Sequence, residues 1–311
     1  MKIYQREQKV SKFGKGENEI VVGGQPGQNP TCLIGTIFYE GHKIVTDSKA
    51  GEFDKGAAEK EINEAVEFSK STGNPLILDV VGETPEALIK FLDFVSEKCE
   101  VPFLVDGLTD SIRIPVMRDL HNKGLMHRAI YNSITPDISQ AEIDLFKELK
   151  IENALILAMH SKYITPDKKI ELLRGKEGGP KGLIPIVEEL NVPNIIVDTG
   201  VMDLATIPLS VKACDLVKEH FGCPAGCAPA NSLSLWPKKG QFGKEGKYSM
   251  VASVNSFVVA EGQADFVLFG EINKAKVVFP AIGIIDAFRS YYRKRYLKGE
   301  TSKSGPFYKM L

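Results

Sequence analysis

Short apolar runs that stop on an acid or an amide recur along the chain: Ile77-Leu78-Asp79, Leu104-Val105-Asp106, Ile130-Tyr131-Asn132 and Val197-Asp198. Each has the length and composition of a strand buried on both faces, ending in a polar tip. Runs of this kind are found at Leu33 to Tyr39, Leu76 to Val81, Phe103 to Asp106, Ala129 to Asn132, Ala154 to Ala158, Asn194 to Asp198, Cys223 to Cys227 and Phe266 to Phe269. The stretches between them carry apolar positions at helical spacing and have recognisable starts. Thr84-Pro85-Glu86-Ala87 offers an N-cap, a proline at the first helical position and an acid in the first turn. Ser139-Gln140-Ala141-Glu142 fits a capping box. Strands that alternate with helices run parallel, and this many of them predict a closed (β/α)8 barrel rather than a doubly wound open sheet.

The rest of the pattern fills in that picture. Residues 1–28 turn around Phe13-Gly14-Lys15-Gly16-Glu17-Asn18, which predicts a hairpin laid across the barrel bottom. The widest gap between strands holds Gly175-Lys176-Glu177-Gly178-Gly179-Pro180-Lys181-Gly182, expected to be a mobile loop at the mouth. A last helix is expected near Ala281 to Tyr292. The polar tail 293–311 is expected to be disordered or packed on a second subunit through Phe307 and Tyr308. The 311 residues therefore read as one barrel domain.

Composition narrows the partners. Lys plus Arg number 39 against 40 for Asp plus Glu, so no charge excess points to nucleic acid or to a membrane surface. The N-terminus lacks the apolar stretch of a signal peptide, and no run approaches the roughly 20 apolar residues of a membrane span, so a cytoplasmic protein without direct membrane insertion is expected. Five cysteines are an odd number and suit reduced thiols.

The parallel strands bring their polar tips to one end of the barrel, where Asp106, Asn132 and Asp198 would face one another. Asp79 is a fourth member whose simpler reading is a structural contact. Carboxylates accept hydrogen bonds and an amide serves both roles, while no Lys or Arg stands at these strand tips. Such a set suits a flat heterocycle rich in N–H donors, and a reduced pterin is such a molecule. The seventh strand runs into Gly226-Cys227-Ala228-Pro229-Ala230-Asn231-Ser232-Leu233-Ser234, small residues that let backbone approach a ligand. Asn231 and Ser232 there are candidates to touch its reacting part, or else N-caps of the next helix.

Other motifs lead elsewhere or nowhere. Asp119-Leu120-His121-Asn122-Lys123-Gly124 matches the Asp-x-His-x-x-Gly of corrinoid-binding proteins, but it lies at the end of a predicted helix, where Gly124 reads as a stop and His121 suits the last turn. Cys223 and Cys227 with His220 lack zinc-knuckle spacing, so no metal is expected. A Schiff-base enzyme needs a lysine where the sixth strand has Asp198.

Gly23-Gly24-Gln25-Pro26-Gly27, Gly35-Thr36-Ile37-Phe38-Tyr39 and His42-Lys43-Ile44-Val45, together with the strand tips, resemble the H component of tetrahydromethanopterin S-methyltransferase and its soluble bacterial relatives. Those relatives move a methyl group between a corrinoid protein and tetrahydrofolate during demethylation of quaternary amines such as glycine betaine. The resemblance implies a homodimeric methyltransferase with tetrahydrofolate as methyl acceptor or donor and a cobamide carried by the partner protein. By similarity to pterin-dependent corrinoid methyltransferases, Asp106, Asn132 and Asp198 would hold the pterin and Asn231 would stand near its N5. The alternatives are a tetrahydromethanopterin-specific component of a membrane complex and a non-catalytic protein that docks a corrinoid protein.

Overall fold

The computed structural model describes the backbone of residues 1–311, and the side chains of all except residues 231, 234 and 237 to 239. The chain opens with an antiparallel hairpin of β1 (Val10–Phe13) and β2 (Ile20–Gly23). Then β3 (Cys32–Ile37) is followed by a second small hairpin, β4 (Val45–Asp47) and β5 (Glu52–Phe53), which the sequence pattern did not announce. From there strands and helices alternate. They run α1 (Lys55–Thr72), β6 (Leu76–Gly82), α2 (Pro85–Lys98), β7 (Phe103–Gly107), α3 (Asp110–Asn122), β8 (Ala129–Ile134), α4 (Gln140–Leu149) and β9 (Asn153–Leu157). The second half runs α5 (Pro166–Arg174), α6 (Leu183–Leu190), β10 (Asn194–Asp198), α7 (Ile207–Phe221), β11 (Ala225–Cys227), α8 (Pro229–Ser234), α9 (Gly243–Gly262), β12 (Phe266–Glu271), α10 (Ala275–Arg295) and α11 (Pro306–Met310).

The eight strands β3 and β6 to β12 close into a barrel, each pairing in parallel with the next and β12 returning to β3. All eight expected strands are present. The seventh starts two residues late, because Pro224 has no N–H to give the ladder; its carbonyl still accepts from the Val197 amide at 2.9 Å. The expected caps form as well. Thr84 Oγ1 accepts from the Ala87 amide at 3.1 Å, and Ser139 and Glu142 exchange bonds of 3.2 and 2.8 Å.

Register decides what lies inside. Ile34, Ile77, Leu104, Ile130, Leu155, Ile196 and Phe266 form one interior cluster, while their strand neighbours Leu78, Val105, Tyr131 and Val197 belong to the layer beneath the helices. Leu104 is fully buried in this cluster, and Leu104→Ala would open a cavity costing about 2–5 kcal/mol. Phe13 and Val22 of the first hairpin join the interior cluster from below. That hairpin is tied to the barrel bottom by Ser11 Oγ donating to the Ile195 carbonyl at 2.6 Å and the Lys12 amide to Asn194 Oδ1 at 3.0 Å.

Two expectations change. The Gly175 to Gly182 segment joins α5 to α6 rather than a strand to a helix, and Arg174 beside it meets His220 at 3.3 Å near the C-terminal end of α7. Helices of a barrel run from mouth to bottom, so this loop is remote from the mouth. The tail is ordered on its own chain. Its Ser302 amide bonds the Gln28 carbonyl at 2.8 Å, and the Phe307 ring lies 6.0 Å from Tyr291 of α10.

Candidate functional site

Side chains alternate along a strand, so residues two beyond the interior cluster also point inward, one layer nearer the mouth. Those residues are Thr36, Asp79, Asp106, Asn132, Leu157, Asp198 and Leu268. One apolar layer thus supports one polar layer. Asp106 is in register with Asn132 on the next strand, and Asp79 with Thr36 on the previous one. A ladder irregularity between Asn132 and Ile134 bends β8 at this level.

Asp79 and Asp106 form a carboxyl pair with Asn132 beside it. Thr36 Oγ1 donates to Asp79 Oδ2 at 2.8 Å. The other oxygen, Asp79 Oδ1, is buried, and the carboxyl also interacts with the Asp106 carboxyl and the Asn132 amide. Burial, reinforced by the Asp106 charge, drives the Asp79 carboxyl well above the usual range, against the pull of the Thr36 and Asn132 hydrogen bonds. Burial also raises Asp106 to about 6, against the pull of the Arg113 charge and the Asp79 bond. Asp79, read from sequence as the least functional member, is the most perturbed.

Asp198 stands across the mouth on β10, buried. Its Oδ1 accepts from the Gly200 amide at 2.7 Å. Burial lifts it to about 6, while the Gly200 N–H and the Lys169 charge hold it down.

Two cations that no strand tip announced complete the surroundings. Arg113 of α3 is buried and donates to the Gly107 carbonyl at 2.6 Å, the Tyr131 hydroxyl at 2.9 Å and Glu142 at 2.6 Å. Lys169 of α5 is buried and donates to the carbonyls of Thr199, Gly200 (3.0 Å) and Ala158 (3.5 Å). Burial pushes its pKa down, with Asp198 opposing. The signal was available: each is a cation on the apolar face of its helix, Arg113 with Val116 and Met117, Lys169 with Ile170 and Leu173.

A cleft of about 570 Å³ opens over the acid pair. Its floor holds Thr36, Asp79 and Asp106, and its walls are Tyr39, Leu233, Met250, Val251 and Phe269. Acceptors below apolar walls make a slot for a flat ring with N–H groups on its edge. A larger groove of about 710 Å³ lies at the barrel bottom beside Asn18, Asn74 and Ser302, without a perturbed acid pair. The chemistry argues for the smaller one.

Asn132 and Asp198 are on the same inward layer but not in the lining of that cleft. Ser232 is buried within α8, whose N-cap is Ala228, so neither it nor Asn231 caps the helix. The segment predicted as a loop is a strand end and a short helix. The Asn231 side chain lies outside the described residues. Asp119 and His121 fall in the last turns of α3, with Asp119 paired to Lys123 at 2.7 Å, and Gly124 follows the helix at φ 71°.

The family model described as "Tetrahydromethanopterin S-methyltransferase MtrH subunit" matches residues 6–300. The chain belongs to this family. It is 36% identical over 294 residues to the MtrH-type tetrahydromethanopterin S-methyltransferase component of Methanothermobacter thermautotrophicus, covering 93% of this chain and 94% of that one. It is 33% identical over 321 residues to the same component of Methanocaldococcus jannaschii, covering 99% of both. The H component of an mtx methyltransferase of Methanosarcina barkeri is 32% identical over 289 residues, 91% of each. Among solved structures, dihydropteroate synthase of Xanthomonas albilineans in complex with 7,8-dihydropteroate has a TM-score of 0.59 at 14% identity, covering 90% of this chain and 99% of that one. The Yersinia pestis enzyme gives 0.58 at 12%, covering 91% and 100%. At such identities the likeness is of fold alone. In this member of the family no helix among the described residues is long and apolar enough to cross a membrane.

Proposed function

We propose that this chain is a methyltransferase that moves a methyl group between a corrinoid on a partner protein and N5 of a tetrahydropterin held at the barrel mouth. The observation that carries the reading is the inward polar layer, above all the buried carboxyl pair Asp79 and Asp106 at the floor of the cleft. A ring edge rich in N–H groups offers donors to these carboxyl oxygens. Family membership supports the reaction class. The relatives' names favour tetrahydromethanopterin, so that pterin stands ahead of the tetrahydrofolate and glycine betaine reading drawn from sequence.

Asp106 accepts hydrogen bonds from ring N–H groups at the cleft floor, and a ring extending from there along the inward layer meets Asn132 as donor and acceptor and Asp198 as acceptor. Asp79, a carboxyl raised well above its usual range at the cleft floor, is suited to exchange a proton there: N5 needs a proton to leave a methyl group and must lose one to accept it. Asn231 follows from family resemblance as the amide that meets N5 as its charge changes. The corrinoid, when its carrier docks, would be the other party to the transfer, as methyl donor or as methyl acceptor. Holding the two reactants in line lowers the barrier by on the order of 7 kcal/mol.

Calorimetric titration with tetrahydromethanopterin and with tetrahydrofolate, with chelator present, tests the reading. Binding of either pterin without added metal is expected. No binding of either, or loss of binding on chelation, overturns it, and pterin binding without methyl transfer leaves a docking role instead.

A further inference from the structure

Above the acid pair the cleft ends in lysines. Lys247 and Lys274 line it together with Asp79 and Asp106. Lys244 and Lys247 lie three residues apart on α9 and share a face with Val251, another lining residue. Lys274 and Lys276 come from the turn into α10. Three of the four surround one phenol, with Lys244, Lys274 and Lys276 Nζ 5.9, 5.4 and 5.1 Å from the Tyr248 ring centre. Among the described residues Lys274 pairs with Glu271 at 3.4 Å, while Lys244, Lys247 and Lys276 have no carboxylate partner. Slight burial pushes the Tyr248 phenol up, yet the bond from Lys276 and the charges of Lys276, Lys244 and Lys274 outweigh it and hold the group below its usual range.

Glu271 also lines the cleft and offsets Lys274, so the cleft is negative at its floor while Lys247 in its lining, with Lys244 and Lys276 beside it, leaves one rim positive. A ligand polarised in the opposite sense, with N–H donors at one end and anionic groups on a flexible arm, can enter in one orientation only. We propose that Lys244, Lys247, Lys274 and Lys276 form an anion subsite that holds the negatively charged tail of the pterin. The inference rests on the ring reading above and adds the substrate's second recognition element. Multiple anions on the tail are the shared chemistry, and they can come from a run of glutamyl carboxylates or from a phosphodiester.

The test is titration of the full chain at low and high salt with four ligands: 6-methyltetrahydropterin, which has no anionic tail, tetrahydrofolate with one and with three glutamates, and tetrahydromethanopterin. Affinity should rise about three-fold per added anionic group at low salt. That gain should shrink at high salt, since exposed charges are screened. The steeper gain, among glutamates or for the phosphodiester, names the source. K247Q, K276Q and the double variant, all at exposed positions, should lose the tail-dependent gain while 6-methyltetrahydropterin binds within about two-fold of the parent. Affinity independent of the tail, or equal weakening of all four ligands, would overturn the subsite while the ring site stands. Full tail preference in the variants with loss of methyl transfer from a corrinoid protein would overturn it too, in favour of an acidic protein surface on these lysines. If no ligand binds at all, the ring reading falls and the subsite with it.

Discussion

Asp198→Asn separates stability from binding at one atom. The Asp198 carboxyl ionises near 6 rather than at its ordinary 3.8. Held charged at neutral pH, it costs the folded state about 3 kcal/mol relative to the unfolded chain. Asparagine keeps an oxygen for the Gly200 amide and carries no charge, but it leaves the buried Lys169 ammonium with carbonyl partners alone, which returns on the order of 1 kcal/mol. The variant should be more stable at pH 8 by about 2 kcal/mol. A folded-state pKa raised above the unfolded one removes stability as pH rises from about 4 and stops doing so beyond about 6 to 7. About 1.4 kcal/mol of that loss falls between pH 5 and pH 8, so the gap in Tm should widen by about 2 °C over that interval in a chain of this size. Pterin affinity should move the opposite way, weakening by roughly ten- to a hundred-and-fifty-fold for a lost charged acceptor worth about 1.5–3 kcal/mol. Thermal melts at both pH values beside calorimetry read all three effects. A variant less stable than the parent at pH 8, or a gap that does not change with pH, refutes the electrostatic argument; unchanged affinity removes Asp198 from the ring site.

Because burial raises Asp106 to about 6, pterin affinity should fall about ten-fold between pH 7 and pH 5 for each carboxylate that must be charged to accept a ring N–H, and a flat profile by calorimetry would contradict this. His121→Ala should leave methyl transfer unchanged, since that side chain sits in the last turn of α3; loss of transfer in a folded variant would reinstate the Asp-x-His-x-x-Gly match. Asn231→Ala should slow single-turnover transfer while pterin affinity stays within a few fold, and equal losses in both would make the amide a ground-state anchor.

The barrel was legible because each buried strand is a short apolar run bounded by polar turns, and because parallel strands force their tips to one end. The inward layer was legible for the same reason: Asp79, Asp106, Asn132 and Asp198 each follow an interior residue by two positions. What could not be read was contact across the sequence. The coupling between the Asp79 and Asp106 carboxyls depends on neighbouring strands and on burial, which no local pattern reports. Arg113 and Lys169 reach the mouth from helices through long side chains, so an inventory of strand tips passed them over. The Gly175 to Gly182 loop was misplaced because the connection from β9 to β10 holds two helices, α5 and α6, where the pattern suggested a single gap.

A single-turnover reaction tests most directly whether this chain carries methyl to and from a pterin. Methylcobalamin or a methylated corrinoid protein would be mixed with the chain and either tetrahydromethanopterin or tetrahydrofolate, and the products resolved by mass. Methyl on N5 of the pterin is the expected result, matched by loss of the methylated corrinoid spectrum and absent in Asp106→Ala. A chain that binds pterin yet forms no methylated pterin from either methyl source would contradict the account.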